Sequence, residues 1–262
     1  MQSKKILIVG IYSEIGTALN KLLLQNGYIV EGTSRDKKKL ATGVSFFDLK
    51  DPDFKLIDKN YECVIICAGV NSIIECENNY SESEKINVTN TIKLISNAIR
   101  NNSFVVFLSS STVFDGEKEF YKYTAKTNPK NNYGKFKETV EEYIIKKNNC
   151  CVLRLTKVMS KKTPILRKWD NNLKQGLPIK VFSNLFISPI SIDEVVSSIQ
   201  ILIVKRKSGI FQLGGSKEFS YFEFANFYFK NFPYSSELIK KDFNKSVNLI
   251  KYNSLKTYLP ND

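Results

Sequence analysis

The sequence predicts an α/β protein: a doubly wound parallel sheet with a smaller C-terminal lobe. Three observations carry this. Short apolar runs alternate with helix-period segments from Lys5 to Leu155, the spacing of β-α-β units. The first run ends in a glycine turn, Gly10 to Gly16, that opens a helix. The run Glu62 to Gly69 is almost wholly apolar, as a strand covered on both faces should be.

Taken in order, Lys5 to Gly10 reads as a buried strand. Glu14 to Asn26 reads as a helix with Ile15, Leu19, Leu22 and Leu23 at helical spacing, Ser13 as its N-cap and Gly27 just past its end. Tyr28 to Thr33 is a second strand, Val44 to Leu49 a third and Glu62 to Gly69 a fourth. The pattern predicts one continuous helix from Glu77 to Asn101. Phe104 to Leu108 is the fifth strand, Gly134 to Lys147 the next helix and Cys150 to Leu155 a sixth strand. Beyond it the pattern predicts helices at Pro164 to Gly176, Ile192 to Lys205 and Tyr221 to Phe232. Strands are expected at Ile179 to Ser188 and at Gly209 to Gly214, the latter returning to the main sheet. The expected division is a cofactor domain over residues 1–155 and a substrate-binding lobe over 156–262.

Composition narrows the chemistry. At 262 residues with 42% hydrophobic content the chain can bury a sizeable core. It has no histidine, which removes Ser-His-Asp hydrolysis, HExxH metalloproteases and any histidine acid or base. Its five cysteines have neither metal-ligand nor disulfide-framework spacing, so no metal site is expected and buried thiols in a reducing cytoplasm are. No apolar run is long enough to span a bilayer, and no signal-peptide pattern develops. The net charge of +13 is spread over short lysine clusters without a basic stripe interleaved with aromatics, so no nucleic-acid partner is expected.

Two stretches carry candidate chemistry. In the first turn, backbone N–H groups and a helix N-terminus suit a pyrophosphate, as in a Rossmann-type dinucleotide site. That assigns Gly10, Ser13 and Gly16 to a cofactor, with Ile15 beside them. An acid at the end of the second strand would select NAD; that place holds Ser34, followed by Arg35, which can clamp a 2′-phosphate. NADP(H) is therefore the expected cofactor, with NAD as the alternative. Asp48 can accept from the adenine amino group next to Leu49, and Ala68-Gly69 lets the ribose pass close to the backbone. The second stretch is Tyr133-Gly134-Lys135-Phe136-Lys137. Tyr133 and Lys137 lie four apart on one helix face, so the ammonium is expected to lower the phenol pKa and make Tyr133 a proton donor or acceptor. Ser109 to Thr112, at the end of the fifth strand, offer hydroxyls for a substrate oxygen.

Together these pieces resemble the extended short-chain dehydrogenases/reductases, and within them the dTDP-4-dehydrorhamnose reductases. The likeness runs through Ser109-Ser110-Ser111-Thr112-Val113-Phe114-Asp115-Gly116, Asn131-Asn132-Tyr133-Gly134-Lys135-Phe136-Lys137, Leu153-Arg154-Leu155-Thr156, Ser188 to Val195 and Gly209 to Gly214, in the family's order. The resemblance implies reduction of the C4 ketone of a nucleotide-linked 4-keto-6-deoxyhexose in deoxysugar biosynthesis for cell-surface polysaccharide. It implies Tyr133 as general acid, Lys137 as its tuner and ribose ligand, and Ser110 on the sugar carbonyl. Ser110, Ser111, Thr112, Phe114 and Arg154 are the substrate-side residues it implies. The expected partner is a nucleotide-diphosphate sugar, and a homodimer is open. Departures from the family pattern are Ser13 for a glycine, Ser111 for Asp and Thr112 for Tyr. A nucleotide-sugar 4-epimerase is the enzymatic alternative. A non-catalytic, reductase-like regulatory subunit is the other, although such proteins usually lose the Tyr or the Lys kept here.

Overall fold

The computed structural model describes residues 5–244 and 250–260. The chain runs β1 (Lys5–Val9), α1 (Glu14–Gln25), β2 (Ile29–Ser34), β3 (Val44–Phe46), β4 (Cys63–Ile66), α2 (Ile73–Asn78), α3 (Tyr80–Glu84), a π-helical turn (Lys85–Asn90) and α4 (Thr91–Arg100). It continues β5 (Phe104–Ser110), α5 (Asn132–Ile144), β6 (Cys150–Leu155), β7 (Val158–Met159), α6 (Pro164–Lys174), β8 (Ile179–Phe182), β9 (Phe186–Ile187) and β10 (Ile190–Ser191). Last come α7 (Ile192–Lys205), β11 (Gly209–Leu213), β12 (Phe219–Ser220), α8 (Tyr221–Phe229) and β13 (Ile239–Asp242).

Seven strands form one parallel sheet in the order β11-β6-β5-β4-β1-β2-β3. Winding reverses between β1 and β4, so a ligand cleft is expected outside their carboxyl ends. Alternation along each strand feeds two cores. Leu7, Val9, Val64, Val105 and Phe107 pack with Leu94, Ile95 and Val140 on one face. Ile6, Ile8, Ile65, Phe104 and Val106 pack with Leu19, Leu23, Val196 and Ile199 on the other. A third core, around Trp169, Val181, Phe224 and Ile239, joins α6, β8, α8 and β13.

The expected single helix over residues 77–101 is a correction. It is broken into α2, α3, the π turn and α4. Two asparagines in the π turn explain the wider winding. The Asn87 amide accepts from Val70 N at 2.8 Å and donates to Val70 O at 2.9 Å, while Asn90 donates to Leu49 O at 2.7 Å. Helical periodicity carries no signal for such side-chain bonds to distant loops, which offset the poorer π geometry.

Arg154, expected on the substrate, is also a correction. It lies in β6 at 2% exposure, with its guanidinium on Glu141 of α5 at 2.6 and 3.1 Å and on the Tyr123 carbonyl. Phe114, expected beside it, is buried at 1%, stacked on Tyr121 and covered by the Arg154 guanidinium. An arginine cannot be left buried without a counter-charge, and Glu141 answers that need in the core. Glu141→Ala should therefore lower unfolding stability by about 3–5 kcal/mol in urea titrations, and a paired apolar replacement of both residues much less. A single-variant loss below about 1 kcal/mol would contradict this, since that is the worth of an exposed pair.

Candidate active site

The first turn is built by its own backbone. Gly10 takes φ +87°, the region where glycine is favoured, and a Cβ there would meet Ala68 at 3.0 Å. Ser13 N donates to Gly10 O at 3.0 Å, and the Ser13 hydroxyl caps α1 by accepting from Gly16 N at 3.0 Å. Gly16 itself lies under the turn, where a Cβ would strike Gly10 O. The positive end of α1 thus faces a cavity at the carboxyl ends of β1, β2 and β4.

Gly10, Ser13, Ser34, Arg35, Asp48, Leu49, Ala68 and Gly69 all line that cavity, and Ile15 lines the adjoining one with Tyr133 and Lys137. Ser34 is engaged locally: its hydroxyl accepts from Asp36 N and donates to Asp36 O. The Asp36 carboxylate is turned onto Lys38 N and Lys39. Arg35 has no ion-pair partner among the described residues, so a 2′-phosphate would meet an uncommitted guanidinium. Residues present therefore fit a dinucleotide carrying a 2′-phosphate. Sequence reasoning missed Tyr12, Thr33, Lys39, Phe47, Asn71 and Ile86 on the same walls. Thr33 had a readable position, one residue before Ser34, and its hydroxyl accepts from Gly10 N at 3.0 Å.

The reactive pair sits where β5 meets α5. Asn131 caps α5 on Gly134 N at 2.8 Å, and the Glu77 carboxylate accepts from Asn132 N and Nδ2 at 2.8 and 2.7 Å. Gly134 presses on the turn after β5, where a Cβ would lie 2.2 Å from Thr112 O. Lys137 is buried at 8% exposure, donates to Leu108 O at 2.8 Å, and sits 5.6 Å from the Tyr133 ring centre. Burial pushes its ammonium down to about 8, against the pull of Glu141, Cys76 and Cys67.

The phenol goes the other way from expectation. Burial raises the Tyr133 pKa, the nearby Cys76 adds to that, and a hydrogen bond with the Ser110 side chain only partly opposes it. The ammonium does not lower it as expected, because desolvation of a phenolate outweighs a charge already spent on a carbonyl. Tyr133 is therefore held as the protonated acid.

Tyr133 and Ser110 line both the inner cavity beside Lys137 and a second cleft shared with Leu185 to Ile187, Tyr221 and Asn253. Ser111 and Thr112 line that cleft too; the Ser111 hydroxyl donates to Asn253, whereas Thr112 Oγ1 is buried with no partner among the described residues. Missed cleft residues are Asn131, Thr156, Lys157, Phe186, Tyr221 and Asn253. Asn131 was readable as a helix cap; Asn253 was not, since 142 residues separate it from Ser111. The arrangement can bind a dinucleotide along the strand ends and protonate an oxygen held by Ser110. Among the described residues no cluster of Cys, Asp or Glu could hold a metal, and no helix is long and apolar enough to cross a membrane.

Comparison with known proteins agrees with this geometry. A dTDP-4-dehydrorhamnose reductase of Aggregatibacter actinomycetemcomitans is 29% identical over 246 residues, 84% of this chain and 76% of that protein. Methionine adenosyltransferase 2 subunit beta of Bos taurus is 26% identical over 58% of this chain, which spans 46% of that protein. Among solved structures, dTDP-4-dehydrorhamnose reductase from Bacillus anthracis in complex with NADP superposes with a TM-score of 0.86 at 19% identity, covering 98% of this chain and 90% of that one. UDP-glucose 4-epimerase of Thermotoga maritima with UDP-glucose reaches 0.82 at 17% identity, covering 97% and 90%. The family model described as the RmlD substrate binding domain matches residues 4–253, and the chain belongs to that family.

Proposed function

We propose that this protein is an NADPH-dependent oxidoreductase that reduces the C4 ketone of a nucleotide-linked 4-keto-6-deoxyhexose, in the cytoplasm, as a step in deoxysugar biosynthesis for cell-surface polysaccharide. One observation carries the reading: a tyrosine held protonated opens on both the cofactor side and the substrate cleft, with Ser110 beside it and Lys137 behind it. The reductase relatives, one of them holding NADP, support it.

The nicotinamide, when bound, supplies a hydride to C4. Ser110 holds the carbonyl oxygen through its hydroxyl. The Tyr133 phenol gives its proton to that oxygen as the C4 carbon accepts the hydride, so ketone becomes alcohol. The charge left on Tyr133 is met by the Lys137 ammonium, whose position on Leu108 O is fixed beforehand. Gly10 to Gly16 would carry the pyrophosphate, Arg35 the 2′-phosphate, Asp48 the adenine, and Ala68-Gly69 the ribose path. Arg35 disfavours the epimerase alternative, which depends on tightly held NAD, and retention of Tyr133 and Lys137 disfavours a non-catalytic subunit.

Two measurements check this. Tyr133→Phe should lower kcat by about 10²-fold or more, while NADPH affinity by fluorescence titration stays unchanged. Equal turnover in that variant would remove Tyr133 from the acid role. Arg35→Ala should weaken NADPH by about 10-fold or more and leave NADH within about twofold, because only the 2′-phosphate contact is lost. Equal weakening of both cofactors would contradict the 2′-phosphate assignment.

A further inference from the structure

The substrate cleft has one charged residue on its described walls. Its polar lining is otherwise hydroxyls and amides, and Leu185 to Ile187 with Tyr221 form an apolar side. The charge is Lys157, in the link between β6 and β7. Its backbone is pinned: Thr156 N donates to Leu213 O, Ile190 N donates to Lys157 O at 3.0 Å, and β7 pairs with β10 just after it. Its side chain is exposed and has no carboxylate partner among the described residues. Thr156 and Thr112, also on the cleft lining, are buried at 5% and 7% exposure, and among the described residues their Oγ1 atoms have no hydrogen-bond partner. Buried hydroxyls are rarely left unpaired, so these mark the cleft as a place completed by a polar ligand.

We propose that Lys157 is the specificity-determining residue that binds the diphosphate of the substrate, with Thr156 and Thr112 supplying hydroxyl donors on the same cleft. This rests on the nucleotide-sugar reading above. A diphosphate brought into a half-closed cleft loses much of its hydration and needs cationic donors in return. The described walls offer one ammonium and no carboxylate, so both the attraction and the absence of repulsion point to this residue. A nucleoside base would then lie along the Leu185–Ile187 and Tyr221 side, leaving the sugar toward Tyr133.

Calorimetric titration of the full chain with UDP and dTDP, and with uridine and thymidine as phosphate-free controls, tests this without turnover. Wild-type protein should bind the diphosphates more tightly than the nucleosides. Lys157→Met should weaken diphosphate binding by about 10-fold or more, the usual cost of a lost charged hydrogen bond, and leave the nucleosides and NADPH unchanged. Lys157→Arg should stay within about threefold of wild type, because it keeps the charge. Unaltered diphosphate binding in Lys157→Met, or wild-type binding no tighter for diphosphate than for nucleoside, would overturn the proposal. Diphosphate binding that depends on Lys157 in a protein that reduces no keto sugar would uphold it and strike only the reductase reading.

Discussion

The ammonium of Lys137 on the carbonyl of Leu108 is the contact the site depends on. It fastens α5 to the carboxyl end of β5, one helical turn after Tyr133. One turn further on, Glu141 fastens the same helix to β6 through Arg154 and accepts from Ser109 of β5. Tyr133, Lys137 and Glu141 thus form one i, i+4 ridge, and all three face the sheet. Gly134 lets that ridge approach the turn holding Thr112, and Asn131 and Glu77 fix where the helix begins. Together these ties set where the phenol stands relative to Ser110.

Burial has opposite consequences along the ridge. It raises the phenol, so Tyr133 keeps its proton until a developing alkoxide takes it. It lowers the ammonium to about 8, so Lys137 is an ammonium easily stabilised by new negative charge beside it. The phenolate that forms during reduction is such a charge. The site thus favours the phenol before proton transfer, and the transfer is driven by the far more basic alkoxide that hydride addition creates on the substrate oxygen, with Lys137 offsetting part of the cost of the phenolate. Arg154 takes part only indirectly, by neutralising Glu141 at the far end of the ridge.

Much of this was legible in sequence for a physical reason: strands covered on both faces, glycine turns and helix caps are local, and local features leave local patterns. The α1 cap at Ser13, the returning strand after Arg206 and the Tyr133–Lys137 spacing are of that kind. What failed depends on distant partners. The π turn exists because Asn87 and Asn90 bond to loops at Val70 and Leu49. Arg154 looked like a cleft residue because nothing local reveals that Glu141 waits on the helix packed against it. Lys157 and Asn253 reach the cleft from segments whose own patterns are unremarkable, and only the fold brings them opposite Ser111.

The direct test of the account is the fate of a labelled hydride. Purified protein, a nucleotide-linked 4-keto-6-deoxy sugar and NADPH deuterated on either face of C4 of the nicotinamide would be followed by NMR. The account predicts one deuterium at C4 of the product sugar for each NADP formed, from one labelled face only. A product sugar without deuterium, or a C4 epimer formed with no net NADPH oxidation, would contradict it.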